Sequence, residues 1–90
     1  MYSLEVVGQF KRDLKLAKKR GLKIELLDLV VSQLLEYGKL NAKYKPHLLK
    51  GNYKSLWECH IQPDWLLIWE QKETIKLITL IRTGKHSDLF

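Results

Sequence analysis

The spacing of apolar residues changes from two to about 3.6 and back to two along this chain, and those changes mark its elements. Tyr2, Leu4 and Val6 alternate with Ser3 and Glu5, the period of a short strand. Phe10, Leu14 and Ala17 then fall at i, i+4 and i+7, which predicts a helix over residues 9–20. Lys11, Arg12, Lys15, Lys18 and Lys19 cover most of its remaining surface, and Gly21 ends it. Leu26, Leu27, Val30, Leu34 and Tyr37 make a broader stripe, predicting a second helix over residues 23–37 with Gly38 as its stop. The short joint around Gly21 makes the two an antiparallel helical hairpin. Residues 39–54 show no clear period. Beyond them, runs rich in aromatic and branched residues predict strands over residues 55–61, 65–70 and 74–81. Turns fall at Gln62-Pro63-Asp64, where proline and aspartate suit the central positions, and at Gln71-Lys72-Glu73. In the last strand Ile75, Leu77 and Ile81 alternate against Lys76 and Arg82, and Gly84 marks a final turn.

These elements predict a single α+β domain spanning residues 1–90. Three strands form an antiparallel meander, the first strand extends it to four, and both helices pack on one face. No apolar run approaches the ~20 residues of a membrane span. The N-terminus lacks the basic segment and apolar stretch of a signal peptide. The expectation is a cytoplasmic protein with no membrane partner. The one cysteine, Cys59, excludes an internal disulfide and a cysteine-based zinc site.

Charge adds a partner. The net charge is +6, and residues 1–45 hold ten Lys/Arg against five Asp/Glu, while residues 46–90 hold six against five. Such an excess favours a polyanion, nucleic acid first. Residues 39–54 carry five lysines, two tyrosines and His47. Charge for a backbone and rings for stacking are what a single-stranded nucleic acid requires. A basic face that is merely solvated has the same pattern.

The titratable residues suggest chemistry. His47, His60 and His86, all three histidines, lie in the second half with its one arginine, Arg82. In a meander the end of one strand, the turn after it and the end of the third strand meet at one edge. His60, Asp64, Arg82 and His86 can then share a site, with His47 reaching over from the loop. Zinc fits poorly, because spacings of 13 and 26 residues match no local ligand pattern. A Cys59–His60 nucleophile pair fits poorly too, since strand neighbours point to opposite faces. Cys59 is better placed as a core thiol. Metal-free RNA cleavage fits the residue types. Histidine takes or gives protons near neutrality, and arginine holds charge developing on phosphorus.

Three stretches together narrow the choice: His47-Leu48-Leu49-Lys50-Gly51, Glu58-Cys59-His60-Ile61-Gln62-Pro63-Asp64-Trp65-Leu66-Leu67-Ile68 and Arg82-Thr83-Gly84-Lys85-His86-Ser87-Asp88-Leu89-Phe90. Their combination closely resembles the YafQ-like toxins of the RelE/ParE superfamily of bacterial type II toxin–antitoxin systems. The resemblance covers the whole chain in length and element order. It implies a twisted, four-stranded, mainly antiparallel sheet with two N-terminal helices packed against it. It implies an endoribonuclease that cuts mRNA in the ribosomal A site and leaves a 2′,3′-cyclic phosphate, with no metal or other cofactor. It implies a cognate antitoxin as partner, besides ribosome and mRNA. The family's active-site positions fall on His47, His60, Asp64, Arg82, His86 and Phe90, with Trp65 beside them. His86 and Asp64 are expected as the proton-transfer pair, with His60 and His47 as further acid, base or phosphate-orienting groups. Arg82 is expected to stabilise the phosphorane. Trp65 and Phe90 are expected to stack on a base, and Lys50 and Lys54 to contact the substrate. Family members usually carry arginine where this chain has Trp57, which touches substrate affinity more than the chemistry. Two other activities remain open on these residues: a ParE-like toxin that inhibits gyrase by binding, and a catalytically silent RNA-binding module.

Overall fold

The computed structural model describes residues 1–51 and 55–90. In chain order the elements are β1 (Ser3–Val6), α1 (Gly8–Lys19), α2 (Ile24–Tyr37), a 3₁₀ turn (Ala42–Tyr44), β2 (His47–Leu48), β3 (Leu56–Gln62), β4 (Trp65–Lys72), β5 (Leu77–Lys85) and α3 (His86–Leu89). The sheet has five strands in the order β1-β5-β4-β3-β2. β1 runs parallel to β5 and the other pairs are antiparallel. The expectation of four strands is corrected by β2, in which two residues of the aperiodic segment pair with Glu58 and Trp57 of β3. A strand this short carries no readable period.

α1 and α2 each end where a glycine permits. Gly21 and Gly38 both adopt positive φ, 79° and 68°, and the Gly38 N–H donates to Leu34 O to close α2. Phe10, Leu27, Val30 and Leu34 of the helices pack with Cys59, Ile61, Trp65, Leu67, Trp69, Ile78 and Leu80 of the sheet. The odd-numbered residues of β3 and β4 therefore face the helices. Leu66 and Ile68 are buried on the far face instead.

Two irregularities in the ladder decide what that far face displays. Between β4 and β5, Ile68 pairs with Arg82 but Trp69 pairs with Leu80, so Ile81 is an extra residue. Such a bulge reverses the side-chain alternation. Ile78 and Leu80 stay in the core, while Arg82 shares the far face with Ile68. The expected alternation of Ile75, Leu77 and Ile81 is thereby corrected. Ile75 lies in the β4–β5 connection, 62% exposed, and the strand begins at Leu77 and runs on to Lys85. A second extra residue, Ile61, lies between the pairs His60–Leu66 and Gln62–Trp65. It leaves Pro63 and Asp64 as a two-residue connection.

At the opposite end of the sheet the Tyr2 hydroxyl donates to Glu73 Oε1 at 2.5 Å, and Gln71 joins Glu73 to the Gly38 carbonyl. The Tyr2 and Gln71 hydrogen bonds hold the Glu73 carboxyl below its ordinary range. β1, the end of α2 and the β4–β5 connection are tied at that point.

Candidate active site

Strand register brings most of the expected residues to one end of the sheet. His47, Glu58, Ile68 and Arg82 form one cross-strand row, each opposite the next. His60, Leu66 and Gly84 form the following row. Trp65 pairs with Lys85, so Asp64 and His86 each sit one residue beyond that pair, at neighbouring strand ends. Neighbouring strands are about 4.8 Å apart. The candidates thus span a strip three to four strands wide rather than one tight cluster.

The hydrogen bonds define what each group can do. His60 Nδ1 lies 3.2 Å from the Pro63 carbonyl. A carbonyl only accepts, so Nδ1 carries the proton in this contact and Nε2 of the neutral ring holds a lone pair. His47 differs. Its Nδ1 faces the Lys45 carbonyl at 3.0 Å and its Nε2 faces Glu58 Oε1 at 3.3 Å. Both partners are acceptors, so the neutral ring, with its one N–H, can donate to only one of them at a time. Lys45 holds φ at 51°, a left-handed conformation uncommon for a side-chain-bearing residue. It lies at the turn whose carbonyl meets His47. Sequence reasoning missed Glu58. It is 8% exposed, and its one signal was its place beside Cys59 in a strand, which says nothing of the partner across β2.

Arg82 is held by a residue that was also missed. Its Nε donates to Asp13 Oδ2 at 2.6 Å and its Nη2 to Asp13 Oδ1 at 3.2 Å. β1 pairs only with Leu77–Leu80, so from Ile81 onward β5 has no described strand on its β1 side. The Asp13 carboxylate takes the place of that strand, accepting the Thr83 backbone N–H at 3.2 Å. An aspartate inside an amphipathic pattern gives no hint of a partner 69 residues away.

His86 opens α3 and is exposed. Its ring packs against Phe90, centroids 5.1 Å apart, and Phe90 is 54% exposed. Gly84, just before α3, holds φ at 151°, a backbone conformation that side-chain-bearing residues rarely adopt. Trp65 is a correction. It is 1% exposed, on the helix face, and its Nε1 donates to Thr83 Oγ1 at 3.0 Å. It has no open ring face for a base, because it braces the end of the sheet from within. Lys50 is exposed after β2, and Lys54 lies outside the described residues. Cys59 is fully buried, and burial, then the Glu58 charge, pushes its thiol up to about 12. Among the described residues no three His, Cys, Asp or Glu side chains are grouped as a metal set.

Two openings flank the hairpin tip. A cavity of about 480 Å³ lies among Leu26, Lys43, Tyr44, Lys45 and His60. Another of about 340 Å³ lies among Leu22, Asp64, Trp65 and Lys85, and both touch Gln62 and Pro63. Trp57, where arginine was expected, stacks on Trp69 with centroids 6.0 Å apart and planes 13° from parallel.

Comparison with known proteins gives a consistent result. The family model for YafQ, bacterial toxin of type II toxin–antitoxin systems, matches residues 2–90. The mRNA interferase toxin YafQ of Escherichia coli is 40% identical over 88 residues, covering 97% of this chain and 94% of the relative. The crystal structure of E. coli YafQ superposes with a TM-score of 0.90 at 35% identity, over 100% of this chain and 99% of that one. The YafQ chain of the E. coli DinJ–YafQ toxin–antitoxin complex gives 0.88 at 37% identity, over 99% and 97%.

Proposed function

The chain belongs to the YafQ family of toxins of bacterial type II toxin–antitoxin systems, and from that premise we propose that it is a ribosome-dependent endoribonuclease that cuts mRNA in the A site. The single observation that carries the reading is the strand register. It puts His60 and Arg82 in successive rows of one sheet face, with Asp64 and His86 one residue beyond the Trp65–Lys85 pair at the same end of the sheet. A gyrase-binding toxin has no use for that gathering of proton carriers beside a guanidinium.

The reaction is a transesterification. A base removes the proton from a ribose 2′-OH, and the 2′-oxygen attacks the adjacent phosphorus. An acid protonates the departing 5′-oxygen. The products are a 2′,3′-cyclic phosphate and a 5′-OH end. Asp64 and His86 are the proton-transfer pair, both exposed and one strand apart at the sheet end. His60, with Nδ1 engaged by Pro63, offers Nε2 toward the same reaction. His47, between the Lys45 carbonyl and Glu58, is a further acid, base or phosphate-orienting group. Arg82 stabilises the phosphorane, where a fixed donor fork gains most. Phe90 orients His86 and offers its exposed ring to a base. The exposed lysines of α1 hold ribosomal RNA, and Lys50 and Lys54 the mRNA. The partner in the resting state is a cognate antitoxin, as DinJ is for E. coli YafQ. The proposed compartment is the cytoplasm, where ribosomes work.

Expression in a bacterial host tests the reading. Wild type should arrest growth and cut translated mRNA, while His86→Ala and Asp64→Ala should each lower cleavage on the order of 100-fold or more. A wild type that neither arrests growth nor cuts removes the activity. Two substitutions that leave cleavage intact remove the site assignment.

A further inference from the structure

α1 and the residue that caps its C-terminal end, Arg20, touch the candidate site in two places, two helical turns apart. Asp13 accepts from Arg82 and from the Thr83 N–H. Arg20 donates from Nε and Nη2 to the two oxygens of Asp88, at 3.3 and 3.0 Å. Seven residues separate Asp13 from Arg20, so both project from the same side of the helix. Asp88 lies in α3 between His86 and Phe90, the two rings that pack on each other. α3 has only four residues, too few to hold its own position.

We propose that Arg20 and Asp88 are positioning residues for the cleavage reaction, their forked ion pair setting α3, and with it His86, against α1. This rests on the ribonuclease reading above. Asp13 acts likewise on Arg82, from a buried position that also serves the fold. The Arg20–Asp88 pair is the discriminating half. Its side chains are 49% and 15% exposed, so the arginine end is open to water and screening reduces what the pair adds to folding. A displaced general acid or base, by contrast, costs rate steeply. Neither residue touches the reacting atoms, so loss of the pair acts on turnover and leaves ribosome affinity alone.

A charge-swap experiment tests this in a purified translation system with programmed ribosomes. Arg20→Asp and Asp88→Arg should each lower kcat about 10-fold or more with KM little changed. Their melting temperatures should stay within about 2 °C of wild type. The double variant Arg20→Asp/Asp88→Arg should recover most of the rate. In NMR spectra the His86 ring protons should lose the Phe90 ring-current shift in the single variants and regain it in the double. Single variants that cleave like wild type overturn the proposal, as does a double variant no faster than the singles. A rise in KM confined to variants lacking Arg20 overturns it too, making Arg20 an RNA contact. Wild-type cleavage in the same assay separates these outcomes from failure of the ribonuclease reading itself.

Discussion

Burial and hydrogen bonding divide the polar residues around the site into groups that react and groups that hold. Cys59 reacts least, because its thiol has no water and a carboxylate beside it. Its folded value of about 12 lies above the ordinary value of 9.0. Between those values the unfolded chain loses the thiol proton and the folded chain keeps it, so stability falls as pH rises through that window. Denaturant unfolding of wild type and Cys59→Ala from pH 8 to 11 should show that fall in wild type and a smaller one in the variant. Thiol reagents at pH 8 should label wild type only after unfolding. Glu58 faces the His47 ring across β2, and on the proposed site Glu58→Gln keeps an oxygen that can accept from Nε2 but removes the carboxylate charge. Single-turnover cleavage should slow by about 10-fold or more, and a rate equal to wild type would release His47 from the role given to it.

Single residues also explain how the elements acquire their boundaries. Gly38 closes α2 at positive φ with the Tyr2 ring directly against it, so a Cβ would overlap that ring. Gly38→Ala should cost about 1–3 kcal/mol from backbone strain and overpacking together, measured by denaturant unfolding. Helix ends of this kind were legible, since Gly21 and Gly38 follow apolar stripes. The hairpin at Pro63-Asp64 was legible for the same reason. The register of β5 was not, because the extra Ile81 breaks the alternation that sequence reading depends on. Without that bulge Arg82 would fall on the side of Ile78 and Leu80. α3 was not legible either, being one turn long and held by a distant arginine. The residue types of the site could be listed from the chain, but not their supports. Glu58 and Asp13 owe their roles to partners across strands or 69 positions away.

The whole molecule separates two tasks by position. α1 displays Lys11, Arg12, Lys15, Lys18 and Lys19 to solvent, while its inner side grips Arg82 and Asp88. Binding through that exposed charge should weaken steeply with salt, whereas the chemistry at the far face should not. On the proposed function, this protein cuts mRNA only where a ribosome presents it. The most direct measurement maps 5′ and 3′ ends after incubating the purified protein with a defined mRNA, naked and on programmed ribosomes. The expected result is cuts within the A-site codon, a 2′,3′-cyclic phosphate on the upstream fragment, intact naked mRNA, and loss of the cuts with His86→Ala. Equal cutting of naked mRNA, or arrested translation with every message intact, would contradict it.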